Sequence, residues 1–206
     1  MDDPLKKAKE KAAASYNAAA DHFDDEPLSF WHLISKRTVT NLQLQAGAKV
    51  LDIGCGTGAS ALPAAQAVGK NGFVVGVDLA ARLLDRARTK AIAAGLDNVE
   101  FRLADMTALN YPDGSFDAVV SVFSIFFVPD MEGLVRELWR MVRPGGKLAV
   151  TTWGPRISGQ LTLVGSSQWA ESVQTSRPRS THGIELPMSH LSGSCSRTVE
   201  LKTLRS

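Results

Sequence analysis

Val50-Leu51-Asp52-Ile53-Gly54-Cys55-Gly56-Thr57-Gly58 reads as a buried strand ending in an acid, followed by a turn with glycine at every second position. An alanine-rich helix is predicted directly after it, over 59–68. A strand that stops at such a turn lets a ligand lie against bare backbone at a helix N-terminus, where free N–H groups gather. What lies in that turn sets the function, and the acids that follow narrow the choice.

Outward from this stretch, strands and helices alternate. Short apolar runs at 73–78, 99–103, 116–121 and 147–152 read as strands, and 81–94 and 131–142 as helices. Continuous apolar strands separated by helices imply an α/β fold, a Rossmann-like doubly wound parallel sheet covered on both faces. Right-handed crossovers then bring the strand C-termini, and any ligand, to one edge. Upstream, Asp3-Pro4 is a helix start for 5–20, with Asp21, Asp24, Asp25, Glu26 and Pro27 ending it. A second helix over 30–43 would turn Trp31, Ile34, Val39 and Leu42 inward.

The chain of 206 residues is 44% hydrophobic and 21% charged, a profile of one globular domain of ordinary size. Residues 1–156 balance 18 basic against 18 acidic side chains, so the net charge of +2 arises in the last fifty. No clustered basic face speaks for nucleic acid. Cys55 and Cys195 lack metal-ligand spacing, and no metal is expected. The longest apolar run, 116–128, is too short and too interrupted to span a bilayer, and the charged N-terminus makes the cytoplasm the expected location.

The chemistry-bearing residues fall on successive strand ends. Asp78 closes the second strand, twenty positions after Gly58, where a carboxylate can accept both hydroxyls of a ribose. Asp105 follows the third strand, placed to accept from an exocyclic adenine amine while the Met106 backbone reads the ring edge. Ser121 ends the fourth. Each has a plainer reading: Asp78 as a cap for the next helix, Asp105 as a loop acid, Asp52 as an acceptor for turn amides. Gly54-x-Gly56-x-x-Ala59 also satisfies a relaxed dinucleotide fingerprint, so an NAD(P)-dependent oxidoreductase is the competing function. Against it, a carboxylate at Asp52 would repel a pyrophosphate, whereas a cationic sulfonium amino acid tolerates acids and offers them an amine. The ligand is then S-adenosyl-L-methionine.

The blocks VLDIGCGTG, GVDLAARLLDRAR, FRLADMTALNYPDGSFDAVVS and ELWRMVRPGGKLAVTTWG together resemble class I S-adenosylmethionine-dependent methyltransferases, especially the ubiquinone/menaquinone-type C-methyltransferase group. The resemblance implies a methyltransferase acting on a small organic acceptor. It implies that Asp52, Gly54, Gly56 and Gly58 line the methionine side of the cofactor, Asp78 and Leu79 the ribose, and Asp105 and Met106 the adenine. It further implies a helical cover at 1–44, with Tyr16 over the cofactor, ahead of a cofactor domain at 45–156. No universal catalytic side chain is implied. Phe123, Phe126 and Phe127 are candidates for an acceptor wall, and His22 and His32 for bases, although plain core packing is the alternative reading of the phenylalanines and a surface or interhelix position that of the histidines.

Family members continue after the fifth strand with a helix and two further strands that complete a seven-stranded sheet. Residues 157–206 hold 11 Ser and 5 Thr, with no Asp, Phe or Tyr, and show neither helical nor strand period. Codons chosen for 173–184 encode a family-like segment when shifted by one base. The tail therefore looks frameshifted, and the expectation is a sheet that lacks its final strands, an exposed apolar edge at Leu148-Ala149-Val150, an irregular tail and a catalytically impaired nucleoside-binding module as a further alternative.

Overall fold

A computed structural model describes residues 4–26, 30–153, 160–166 and 197–200 of the chain. Helix α1 (Pro4–Ala19) leads through a 3-10 turn (Ala20–His22) to α2 (Phe30–Leu42). Then follow β1 (Lys49–Ile53), α3 (Ala61–Val68), β2 (Phe73–Asp78), α4 (Ala81–Ala93), β3 (Val99–Leu103) and β4 (Phe116–Val122). After a second 3-10 turn (Ile125–Phe127) come α5 (Met131–Arg140), β5 (Val142–Trp153), β6 (Gln160–Ser166) and β7 (Arg197–Glu200). The capping Asp3 and the terminating Pro27 lie outside the described residues.

One sheet runs in the order β3-β2-β1-β4-β5-β6-β7. The first five strands are parallel, with β1 central: Leu51 pairs with Val75 on one side and Val119 on the other. The order reverses direction between β1 and β4, so the crevice at that switch point opens above the strand C-termini. The continuous burial of β1 from Val50 to Ile53 follows from helices on both faces. Val50, Ala64, Val74, Leu84 and Ala87 form the core on one face, and Leu51, Val75, Val119, Leu138 and Val150 the core on the other. In α4, Leu83, Leu84, Ala87 and Ala91 are buried, which is the stripe of an amphipathic helix. In α2, Ile34, Val39 and Leu42 are buried and Trp31 is half-buried, as their spacing predicts.

Two expectations are corrected. The pattern of 131–147 predicts a helix to Val142 and a new strand at Lys147. Instead α5 stops at Arg140, and β5 begins at Val142 with the Arg143-Pro144-Gly145-Gly146 segment bulged out between the pairs Phe116↔Val142 and Ala118↔Lys147. A bulge accommodates a proline that cannot donate to the ladder. The sheet also does not end at β5. β6 runs antiparallel along it, Leu148 opposite Gly165 and Val150 opposite Leu163, and β7 is parallel to β6. The unpaired edge of β5 is a row of backbone donors and acceptors, and a strand can satisfy it with little side-chain pattern. Gln160-Leu161-Thr162-Leu163-Val164 carries only a brief alternation, too short to stand out in the sequence. The remainder of 157–206 lies outside the described residues.

Among the described residues no helix is long and apolar enough to cross a membrane. Nor does any cluster of His, Cys, Asp and Glu among them suit a metal ion.

Candidate functional site

A cavity of about 210 Å³ lies above the C-terminal ends of β1, β2, β3 and β4, with α1 across it. Its floor is the glycine turn. Gly54 has φ +65°, and a Cβ there would fall 2.3 Å from the Ser124 Cβ, so the turn closes only because this position has no side chain. Gly58 at φ +87° would bring a Cβ to 3.0 Å from Leu62, tying the turn to the start of α3.

Six of the nine residues predicted for the site line the cavity: Gly54, Gly56, Asp78, Leu79, Asp105 and Met106. The other three, Asp52, Gly58 and Ser121, are not part of its lining. Asp52 is fully buried beneath the turn and accepts a 2.7 Å hydrogen bond from the Ser60 hydroxyl at Oδ2. Its Oδ1 is buried without a partner. Burial raises its pKa to about 7, Asp78 pushes the same way, and the Ser60 hydroxyl and Ala61 N–H oppose them. Near neutral pH this group is therefore only partly charged, which weakens the repulsion argument against a pyrophosphate. Ser121 is buried and shares a 2.6 Å hydrogen bond with Ser124, whose hydroxyl donates to the Ile53 carbonyl at 2.8 Å. That pair braces the first and fourth strand ends from behind.

Asp78 meets its plainer reading, as an acceptor for backbone amides. Its Oδ2 accepts from Gly56 N–H and its Oδ1 from Ala80 N–H, both at 2.9 Å, so it braces the glycine turn and the approach to α4 together. Burial raises its pKa against the pull of these backbone donors. Asp105 is more heavily engaged: Oδ1 accepts from the Thr107 N–H and hydroxyl at 2.8 Å, and Oδ2 from Lys9 on α1 at 2.7 Å. Burial pushes its pKa up, but the Lys9 and Thr107 donors outweigh that and hold it low.

The opposite end of the cavity is aromatic. Trp31 and Phe123 line it with ring centroids 4.9 Å apart, and Trp153 stacks on Phe123 at 4.5 Å. Phe123 adopts φ +54°, a strained backbone for a bulky residue, held by its N–H donating to Thr151 O at 2.8 Å. Phe127 lines the cavity and meets Tyr16 edge-on at 5.7 Å, whereas Phe126 is absent from the lining. Tyr16 lies over the cavity, and burial, followed by the charge of Asp78, raises its pKa. Neither His22 nor His32 reaches the cavity: the first pairs with Asp25 at 2.8 Å and the second with Asp24 at 3.0 Å.

Sequence reasoning missed Lys9, Ser35, Thr57 and Ser124, all of which line the cavity. Thr57 stands inside the glycine turn and could have been suspected. Its hydroxyl donates to Asp24 at 2.7 Å, and Lys90 of α4 lies 2.6 Å from the other Asp24 oxygen. Lys9 carried no local signal, because its partner is 96 positions away.

The arrangement fits an adenosyl sulfonium cofactor. The glycine turn and the carboxylates at the next two strand ends lie around one cavity, and a buried carboxylate oxygen of Asp52 without a hydrogen-bond partner lies beneath the turn. Residues 50–146 match the family model described as "Methyltransferase domain". The chain is 32% identical over 144 residues to an aklanonic acid methyltransferase from a Streptomyces species, covering 70% of this chain and 66% of that protein. It is 38% identical over 125 residues to a demethylmenaquinone methyltransferase from Listeria monocytogenes, covering 60% and 53%. A coclaurine N-methyltransferase solved with N-methylheliamine and SAH superposes with a TM-score of 0.52 at 27% identity, covering 58% of this chain and 35% of that one. The chain thus spans about half to two thirds of the length of these curated relatives. With this cradle and these matches together, the domain at residues 50–146 belongs to the class I S-adenosylmethionine-dependent methyltransferases.

Proposed function

We propose that this chain transfers a methyl group from S-adenosylmethionine to a small organic acceptor. The observation that carries the reading is the meeting, around one cavity of a methyltransferase domain, of the glycine turn with Asp78 and the Asp105-Met106 pair. In this reading Gly54 and Gly56 admit the methionine portion against bare backbone, with Asp52 beneath them as acceptor for its amine. Asp78 turns toward the ribose hydroxyls, Leu79 packs beside them, and Asp105 with Met106 receives the adenine. Gly58 and Ser121 act from behind by holding the shape of the turn.

Bound there, the cofactor supplies a methyl group on a sulfonium, open to in-line displacement by an acceptor atom. The protein's contribution is positioning and exclusion of water. Trp31, Phe123 and Phe127 offer an apolar wall for the acceptor, and α1 with Tyr16 covers the opening. The acceptors named for the relatives, aklanonic acid and demethylmenaquinone, belong to those proteins. They support an acceptor of small-molecule type for this one.

Calorimetric titration tests the reading. S-adenosylhomocysteine is expected to bind with a Kd in the micromolar range, corresponding to about −8 kcal/mol, and NAD is expected to give no heat. Saturable binding of NAD alone overturns it in favour of an oxidoreductase.

A further inference from the structure

The two ends of α1 are held by different means. Near its C-terminus the grip is broad. Arg82 N–H donates to the Asn17 side chain at 2.9 Å, Arg82 pairs with Asp21 at 2.6 Å, and Lys90 pairs with Asp24 at 2.6 Å. Arg82, Arg86 and Lys90 recur every fourth residue, so α4 presents one basic face to this acidic segment. Tyr16 adds an edge-on contact with Phe23 at 5.8 Å.

Toward the N-terminus the helix presents Ala8, Ala12 and Ala13 to the cavity, side chains with little area to bury. There Lys9 donates to Asp105 Oδ2 and to the Thr107 hydroxyl, both at 2.7 Å. The pair is well shielded, with 21% of the lysine and 27% of the aspartate side chain exposed. Ten residues of helix separate Lys9 from Ala19, a lever of about 15 Å.

We propose that Lys9 is a positioning residue that latches α1 over the adenine end of the cavity and thereby sets the rate of cofactor exchange. The Asp21 and Asp24 contacts serve as the hinge, and the Lys9–Asp105 ion pair as the catch. Asp105 is at once the catch and the carboxylate assigned to the adenine amine, so closure and recognition of the base share one side chain. A carboxylate oxygen accepts more than one donor, and Oδ2 can hold Lys9 and the amine together. Opening α1 then costs both the ion pair and part of the grip on the base. This inference rests on the methyltransferase reading.

The test follows release of S-adenosylhomocysteine from the full-length chain by stopped-flow tryptophan fluorescence, with Trp31 in the cavity wall as reporter. Lys9→Met should release it about three- to tenfold faster than the unmodified protein, the scale of one partly shielded charged contact. Lys9→Arg should restore slow release. Lys11→Met, which removes an exposed charge from the same helix, should leave the rate unchanged. Raising NaCl from 0.05 to 0.5 M should speed release from the unmodified protein and not from Lys9→Met. That salt dependence still tests the latch if the variant fails to fold. Release from Lys9→Met at the unmodified rate or slower overturns the latch, as does a salt-insensitive rate in the unmodified protein. Failure of every form, including the unmodified chain, to bind S-adenosylhomocysteine overturns the methyltransferase reading instead.

Discussion

Gly54 shows how little room the turn leaves. An added Cβ meets Ser124 at 2.3 Å in a backbone region that L side chains rarely adopt. Gly54→Ala should therefore lower stability by about 2 kcal/mol or more, from overpacking and φ strain together. In the double variant Gly54→Ala/Ser124→Gly the overpacking is relieved and the φ strain stays, so recovery should be partial in urea unfolding. Asp52 carries a different tension. It titrates near 3.8 when unfolded and near 7 when folded. Between those values the folded state holds the extra proton, so stability falls as pH rises and the full cost is present above about pH 7. For Asp52→Asn, the melting temperature relative to the unmodified protein should rise from pH 4.5 to pH 8, with a limit on the order of 4 kcal/mol. A difference independent of pH sinks this account of the buried carboxyl. The same variant should bind S-adenosylhomocysteine more weakly, because an amide offers the amine no charge. Asp52, Gly54 and Gly56 were recognisable from spacing alone. That Asp52 lies under the turn and outside the cavity lining was not, since burial is set by the elements that folding packs around β1.

At the scale of elements, the junction of β2 with α4 does two jobs through Asp78. The carboxylate holds Gly56 N–H and Ala80 N–H, and both lose their acceptor in Asp78→Ala. That variant should weaken S-adenosylhomocysteine by more than tenfold, about 1.4 kcal/mol, and also lower the melting temperature. Loss of stability with unchanged affinity would leave Asp78 only its structural role. Strands β1 and β2 have the bounds their apolar runs predict, because a strand buried on both faces announces itself by continuous hydrophobicity. β3 keeps its predicted bounds at the sheet edge, where only Phe101 is buried. The start of β5 does not announce itself. Pro144, Gly145 and Gly146 look like a turn, and only pairing of Val142 with Phe116 extends the strand through them.

Over the whole molecule, β6 covers the apolar edge that Leu148, Ala149 and Val150 would otherwise expose. A chain truncated after Trp153 should keep the parallel core but self-associate, visible by light scattering as mass above that of the monomer. A truncated chain that stays monomeric would show that β6 has no part in protecting the edge. The sequence by itself determined the alternation of strands and helices and the placing of Gly54, Gly56, Asp78 and Asp105 at strand ends. These follow from local hydrophobic period and from topology rules that act on neighbours in the chain. Only the tertiary structure decided that Lys9 reaches Asp105, that Asp24 reaches Thr57, that the Trp31–Phe123–Trp153 rings meet, and that β6 pairs with β5. Those contacts join positions far apart in sequence, and no local period encodes a partner that folding must first bring near.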